Sequence, residues 1–227
     1  MRVVEEFSRF AKSYQKYKII QKRVASYLVC KVEQKPKRIL DIGAGSGEVY
    51  NHINWDFDQF IAIDKSENML NLHPNKNVKK IICSFNEDYC FNILKKERFD
   101  FIFSSSALQW SENLDFTLKH ISSFNKPCAF SLFTDKTFNT IHKLAKIDSP
   151  IYSLEEILNL FNNYFLINYE IKKYRLFFED KISMFRYIKR SGVNYNKRGL
   201  SYKETKELIK NYPYSYLEFE VVFIWTK

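Results

Sequence analysis

Two short segments carry the residues with the clearest chemical potential. The first, over residues 39–47, is an apolar run with one acid that ends in a loop of three alternating glycines. Because glycine has no side chain to block a ligand, the backbone here can lie directly against a nucleotide-like molecule. The second is the apolar run 60–63, which ends in Asp64, seventeen residues beyond Gly47. A carboxylate at this spacing can accept hydrogen bonds from both ribose hydroxyls, so the two segments predict a cofactor site.

Two other interpretations of the glycine loop remain open at this point. A dinucleotide-binding loop requires glycine at the sixth position of G-x-G-x-x-G, but counting from Gly43 that position is Glu48. Its carboxylate would repel a pyrophosphate, and the charge of Asp41 suits an ammonium group better than a phosphate. The other interpretation is an ordinary strand that turns tightly into a helix.

With an acid before the glycines and another after the second run, the pair of segments resembles the first motifs of S-adenosylmethionine-dependent methyltransferases. The resemblance implies that the loop holds the methionine part of the cofactor, that Asp64 holds the ribose, and that residues after the third strand meet the adenine. The contacts implied are Asp41, Gly43, Ala44, Gly45, Asp64, Lys65, Met69, Ser84, Phe85, Ser104 and Ser105.

The chain is long enough to bury a sizeable core as one domain, with 227 residues of which 45% are hydrophobic. Within this single domain we expect a helical arm over 1–35, a cofactor-binding core over 36–134, and cap helices with the final strands over 135–227. No apolar stretch approaches the roughly 20 residues that span a bilayer. The start of the chain also lacks the apolar core of a signal peptide, so we expect a cytoplasmic protein.

The cysteines and histidines give no metal or disulfide pattern. Four cysteines are spread without C-x-x-C spacing, and the four histidines are isolated from other ligand types. We therefore expect neither a disulfide framework nor a metal site.

The net charge of +10 is consistent with two interpretations. The basic pairs are distributed along the chain, which is typical of a lysine-rich solvated surface. A positive protein also attracts acidic partners and raises their rate of encounter, so a nucleic acid or an acidic carrier protein is the other interpretation.

Strand and helix patterns alternate from Arg38 onward. Strands are predicted over 38–42, 60–64, 78–84, 99–104, 128–134, 165–178 and 216–225, and a helix over 17–30. Capping boxes at Ser153 and Ser201 predict helices that begin at Leu154 and Tyr202. The pattern predicts a doubly wound α/β fold. Its mostly parallel, seven-stranded Rossmann-like sheet would have an antiparallel last strand, an N-terminal helical arm and a small helical cap.

The segment 99–110, which ends in Ala-Leu-Gln-Trp, resembles a narrower group, the malonyl-acyl-carrier-protein O-methyltransferases of biotin synthesis. Similarity to this family extends to 7–14 with Gln21, to 177–192 and to 212–216. The resemblance implies methylation of the free carboxylate of a malonyl thioester on an acidic acyl carrier protein. Two departures are Ser105, where the family usually has asparagine, and the turn 126–129, which lacks the family's paired glycines.

A carboxylate acceptor requires no general base, because with a pKa near 4 it is already ionised at neutral pH. The resemblance and position along the chain imply four substrate contacts: Tyr14, Gln109, Trp110 and Arg186. Gln109 is expected to donate to a thioester or carboxylate oxygen, and Arg186 to pair with the malonyl carboxylate. Each also has a purely structural interpretation, as a packing anchor or a surface residue.

Positive residues near the pocket would steer the carrier protein, and Lys189, Arg190 and Lys197 are the candidates. The main alternative is a carboxyl methyltransferase for another small organic acid. A nucleic-acid methyltransferase is less favoured, because 104–107 contains neither the Pro-Pro-aromatic run nor the Pro-Cys nucleophile of those enzymes.

Overall fold

The computed structural model describes residues 18–190 and 201–226. These residues fold into a seven-stranded sheet with helices on both faces. The strands are β1 (Arg38–Ile42), β2 (Gln59–Asp64), β3 (Val78–Ile82), β4 (Phe101–Ser105), β5 (Cys128–Phe133), β6 (Ile167–Phe177) and β7 (Tyr216–Thr226). The helices are α1 (Ile19–Cys30), α2 (Glu48–His52), α3 (Glu67–Leu72), α4 (Asp88–Leu94), α5 (Leu114–Ser122), α6 (Asn139–Ala145), α7 (Leu154–Asn162), α8 (Lys181–Arg190) and α9 (Tyr202–Asn211). A 3₁₀ turn covers Leu108–Trp110.

The strand order is β3-β2-β1-β4-β5-β7-β6, and only β7 runs antiparallel to its neighbours. This confirms the predicted fold. The first strand lies at the centre because every residue from Ile39 to Ile42 is buried, which requires a covered surface on both sides. The predicted division into arm, core and cap stays a prediction.

Each face of the sheet has its own apolar cluster. Phe103 and Phe223 face the cluster completed by α1, whereas Ile102 and Val222 face the cluster completed by α4, α5 and α7. Because alternate residues of a strand point to opposite faces, the two clusters interleave along the sequence. The capping boxes at Ser153 and Ser201 are present, which confirms the predicted starts of α7 and α9.

One expectation about the cysteines was wrong. Cys83 and Cys90 form a disulfide, because the turn after β3 brings the start of α4 back over the end of the strand. Their Cα atoms are 5.3 Å apart and both residues are buried in the same cluster. No metal-binding cluster of acids, cysteines or histidines occurs in the described part of the chain. Nor is any of its helices both long enough and apolar enough to span a bilayer.

Candidate active site

The glycine loop lies at the carboxyl end of β1, beside β2. The amides of Gly43 and Ala44 both donate to the carbonyl of Ile63 at 2.9 Å, which fixes the loop against the neighbouring strand. Gly43 has a φ of +72°. A β-carbon at this position would lie 2.4 Å from the β-carbon of Ala107. The loop therefore needs glycine here both for its conformation and for its close approach to the segment after β4.

Asp64 ends β2 and bonds to the loop. One of its oxygens accepts from the Gly45 amide at 2.9 Å and the other from the Ser66 amide at 2.8 Å. Burial raises the pKa of this carboxyl, and the backbone amides partly oppose that effect. Each oxygen keeps a second lone pair, so both can also accept from the hydroxyls of a ribose.

Asp41 is the most unusual group in this region. Its side chain is 1% exposed, and neither carboxylate oxygen has a hydrogen-bond partner among the described residues. Burial, with the nearby Asp64 as a smaller cause, raises its pKa well above the usual value. A buried carboxylate without a partner is costly unless a ligand supplies one. This orphaned acid and the crowding at Gly43 fit the ammonium end of the expected cofactor.

A cavity of about 800 Å³ opens at this end of the sheet. It meets the loops after β1, β2, β3 and β4 and the segment before α7. The sequence-predicted residues that line it are Asp41, Gly43, Ala44, Gly45, Asp64, Lys65, Met69, Ser84, Phe85, Ser105, Gln109 and Trp110. Twelve side chains or loop positions chosen from distant parts of the sequence thus share one cavity, whose volume is typical of small-molecule sites.

Ser104 is not among them. It is fully buried, and its hydroxyl donates to the carbonyl of Ile42 at 2.6 Å, which links β4 to β1. The expected cofactor contact is therefore not supported by its position. The strand alternates faces, so Ser105 reaches the cavity and Ser104 does not.

A Ser104→Ala variant tests this structural role. It leaves the Ile42 carbonyl without its buried donor, which should lower the free energy of unfolding by about 1–3 kcal/mol. Cofactor affinity should stay within about twofold, because the residue lies outside the cavity. Urea denaturation and calorimetric titration measure the two quantities, and a large loss of affinity at unchanged stability would restore the cofactor role.

The four residues predicted to contact the substrate, and the basic residues predicted to steer the carrier, differ in where the structure places them. Trp110 lines the cavity, whereas Arg186 is exposed on α8 and does not. Tyr14 and Lys197 lie outside the described residues, and so do the side chains of Lys189 and Arg190.

Gln109 lies in the cavity wall, but its amide nitrogen does not face the substrate as predicted. Its Nε2 atom donates to the carbonyl of Ser106 at 2.7 Å, while Oε1 is buried without a partner in the described part of the chain. The nitrogen that was predicted to donate to a substrate oxygen is therefore engaged by the backbone. The backbone carbonyl, which only accepts, determines this orientation.

Sequence reasoning missed the wall formed by 149–152. Within it, the Tyr152 hydroxyl donates to the carbonyl of Ser111 at 3.1 Å. The Ser111 hydroxyl in turn donates to Asn86 at 3.1 Å, so the wall is tied to the loop after β3. The capping box at Ser153 was the one local signal, and it located the helix but not the closure of the cavity by the residues before it.

Sequence reasoning also missed two serines. Ser106 and Ser149 line the cavity, and the hydroxyl of each is buried without a partner among the described residues. Ser106 has a φ of +57°, a conformation that non-glycine residues rarely adopt and that is often found at functional sites.

Comparisons with known proteins agree with this geometry. A family model described as a methyltransferase domain matches residues 40–132. The malonyl-[acyl-carrier protein] O-methyltransferase of Neorickettsia risticii is 26% identical over 97% of this chain and 94% of its own length. Two such proteins of Ilyobacter polytropus are 28% and 29% identical, over 93% and 70% of this chain and 85% and 64% of their own lengths.

Solved structures support the fold. The YcgJ protein of Bacillus subtilis superposes with a TM-score of 0.62 at 14% identity, over 90% of this chain and 98% of its own. A protein of Bacillus halodurans superposes with a TM-score of 0.65 at 13% identity, over 88% of this chain and 96% of its own. At these identities the likeness establishes the architecture alone.

Proposed function

Because the chain is a class I S-adenosylmethionine-dependent methyltransferase, we propose that it methylates the free carboxylate of a malonyl thioester carried by an acyl carrier protein. The product would be the methyl ester that primes pimeloyl synthesis for biotin. Support comes from the relatives named above, one of which aligns with nearly the whole chain. An acidic carrier would suit the net charge of +10.

The cofactor supplies an electrophilic methyl group on a sulfonium sulfur. In the proposal, Asp41 holds its ammonium, and the glycine loop holds the rest of its methionine part. Asp64 accepts from the ribose, and Phe85 packs against the adenine. The neighbouring contacts would come from Ala44, Lys65, Met69, Ser84 and Ser105.

The observation that carries the proposed acceptor is two neutral hydroxyls in the cavity lining, at Ser106 and Ser149, each buried without a partner among the described residues. They can donate to a carboxylate or thioester oxygen without the strong attraction of a cation. The carboxylate loses its charge in the transition state, so hydrogen bonds that hold it weakly raise the activation free energy less than strong ones do. Trp110 would form the adjacent wall and help to exclude water.

The described lining also fits an acceptor that needs no proton removed. None of the four histidines lines the cavity. Of the acids that line it, Asp41, Glu48 and Asp64 lie on the cofactor side and Glu112 is exposed. The fifth is Glu156, to which Ser153 donates from both backbone and hydroxyl, which lowers the pKa of this carboxyl. A carboxylate with a lowered pKa is a weak base, and a malonyl carboxylate requires none.

The direct test is transfer of labelled methyl groups from S-adenosylmethionine to malonyl-acyl carrier protein, run beside malonyl-coenzyme A, free malonate and total RNA. We expect label on the malonyl thioester, released by mild base as a methyl ester should be. Label on free acids alone would favour a small-acid carboxyl methyltransferase. Label on RNA alone would overturn carboxyl methylation.

Ser106→Ala and Ser149→Ala variants test the acceptor contacts. Each should raise KM for the malonyl carrier about two- to tenfold, the range for one neutral hydrogen bond. Dissociation constants for the cofactor should not change. The control is Ser123→Ala, which removes the hydroxyl of an exposed serine that donates to the His120 carbonyl. Equal KM values in all three variants would remove the serines from the acceptor site.

A further inference from the structure

A buried lysine joins the first helix to the glycine loop. Lys18, immediately before α1, is 2% exposed. Its ammonium group contacts the carboxylate of Glu48 and donates to the hydroxyl of Ser46 at 3.1 Å. An ammonium group at this depth is costly without such partners, so this pair differs in kind from a solvated surface ion pair.

Both partners of Lys18 belong to the cofactor side of the cavity. Ser46 and Glu48 line it, and they flank Gly47, whose φ is +88°. Glu48 is the first residue of α2, and its side chain is 13% exposed. The lysine itself does not line the cavity, so it acts on a ligand there through these two residues.

The other charges around the glycine loop explain why the contact between Lys18 and Glu48 matters for cofactor binding. Asp41 and Asp64 already place two carboxylates beside the region where the cofactor binds, and Glu48 is a third. Without Lys18, the Glu48 carboxylate would repel the carboxylate of the methionine part. It would also compete with Asp41 for the ammonium. A low-dielectric setting makes both effects larger than they are in water.

We propose that Lys18 is a positioning residue for cofactor binding, because it neutralises Glu48 and so leaves Asp41 as the acid that receives the ammonium. The same contact makes the geometry of the glycine loop depend on the docking of α1. Lys18 would act in this way on the cofactor half of the site whatever the methyl acceptor is.

The test compares dissociation constants for S-adenosylmethionine and S-adenosylhomocysteine, measured by calorimetry. Lys18→Met leaves Glu48 without its partner and should weaken binding of both by about tenfold or more. Turnover at saturating cofactor should stay within about twofold. Lys18→Met combined with Glu48→Met removes both charges and should restore the dissociation constant to within about threefold of the parent, because an apolar pair can replace a buried ion pair.

The matched control is Lys22→Met, which removes an exposed lysine of α1 one turn after Lys18 and should bind as the parent does. If Lys18→Met does not fold, Lys18→Gln, which keeps a donor toward Glu48 but no charge, replaces it in the comparison of cofactor affinities. It should weaken binding in the same direction. Parental affinity with a lower melting temperature in the single variants would show a merely structural role. A double variant as weak as Lys18→Met would show that the charge of Glu48 is not the cause. Either result overturns the proposal.

Discussion

An Asp41→Asn variant will be more stable than the parent protein and will bind S-adenosylmethionine about a hundredfold more weakly. Both effects follow from a carboxylate that is 1% exposed and has no partner among the described residues. Asparagine has the same shape without the charge, so the free energy of unfolding should rise by about 1–3 kcal/mol. Loss of a charge-assisted contact to the ammonium accounts for the affinity, since a factor of a hundred corresponds to about 2.7 kcal/mol.

The stability gain should depend on pH with a definite sign. Burial raises the pKa of Asp41 in the folded protein, so the folded state holds its proton more tightly than the unfolded chain does. Below the unfolded-state pKa both states are protonated, and the variant should gain least. As pH rises through the folded-state pKa the parent loses stability, and the advantage of the variant becomes complete above it.

Urea denaturation at several pH values and calorimetric titration with cofactor measure these effects. Asp58→Asn, at an exposed position, is the matched control and should change neither quantity. A less stable Asp41→Asn variant, or one with the parental affinity for the cofactor, would contradict the role of Asp41 as an unpaired buried acid that binds a cation.

A Gly43→Ala variant will lose about 2–4 kcal/mol of stability and most of its cofactor affinity. The new methyl group would lie 2.4 Å from the β-carbon of Ala107, and the φ of +72° adds backbone strain. The overlap forces the loop away from the segment after β4, which also lines the cavity.

Two comparison variants separate the causes. Gly45→Ala meets only the Met69 methyl group, at 3.4 Å, so its loss should be limited to the strain of its φ of +51°. Adding Ala107→Gly to Gly43→Ala removes the overlap and should recover part of the stability. Equal losses at the two glycines, or no recovery in the double variant, would refute the steric argument.

The sequence was sufficient for the fold because its signals are local. The mainly apolar runs over 39–42 and 60–63 predict buried strands, and the serine-glutamate pairs at Ser153 and Ser201 predict where two helices begin. The glycine loop and Asp64 could be predicted for the same reason, because glycines and an acid at a short, fixed spacing indicate a place where a ligand binds.

The rest of the site depends on contacts between distant residues. Nothing near Lys18 indicates that it meets Glu48, thirty positions later, and Glu48 alone suggested only an unsuitable dinucleotide loop. The orientation of the Gln109 amide depends on a carbonyl three residues away, at a residue with an uncommon φ. Hydrogen-bond direction and strand face, which also separate Ser104 from Ser105, are decided only once the chain is folded.

The place of β7 in the sheet has a consequence during synthesis on the ribosome. β7 lies between β5 and β6, although both of those strands leave the exit tunnel before it. Until residues 216–226 emerge, β6 has no partner in the described sheet and β5 has one open edge. Unpaired strand edges recruit other chains. The nascent protein should therefore associate with chaperones most strongly in the interval between the translation of β6 and that of β7.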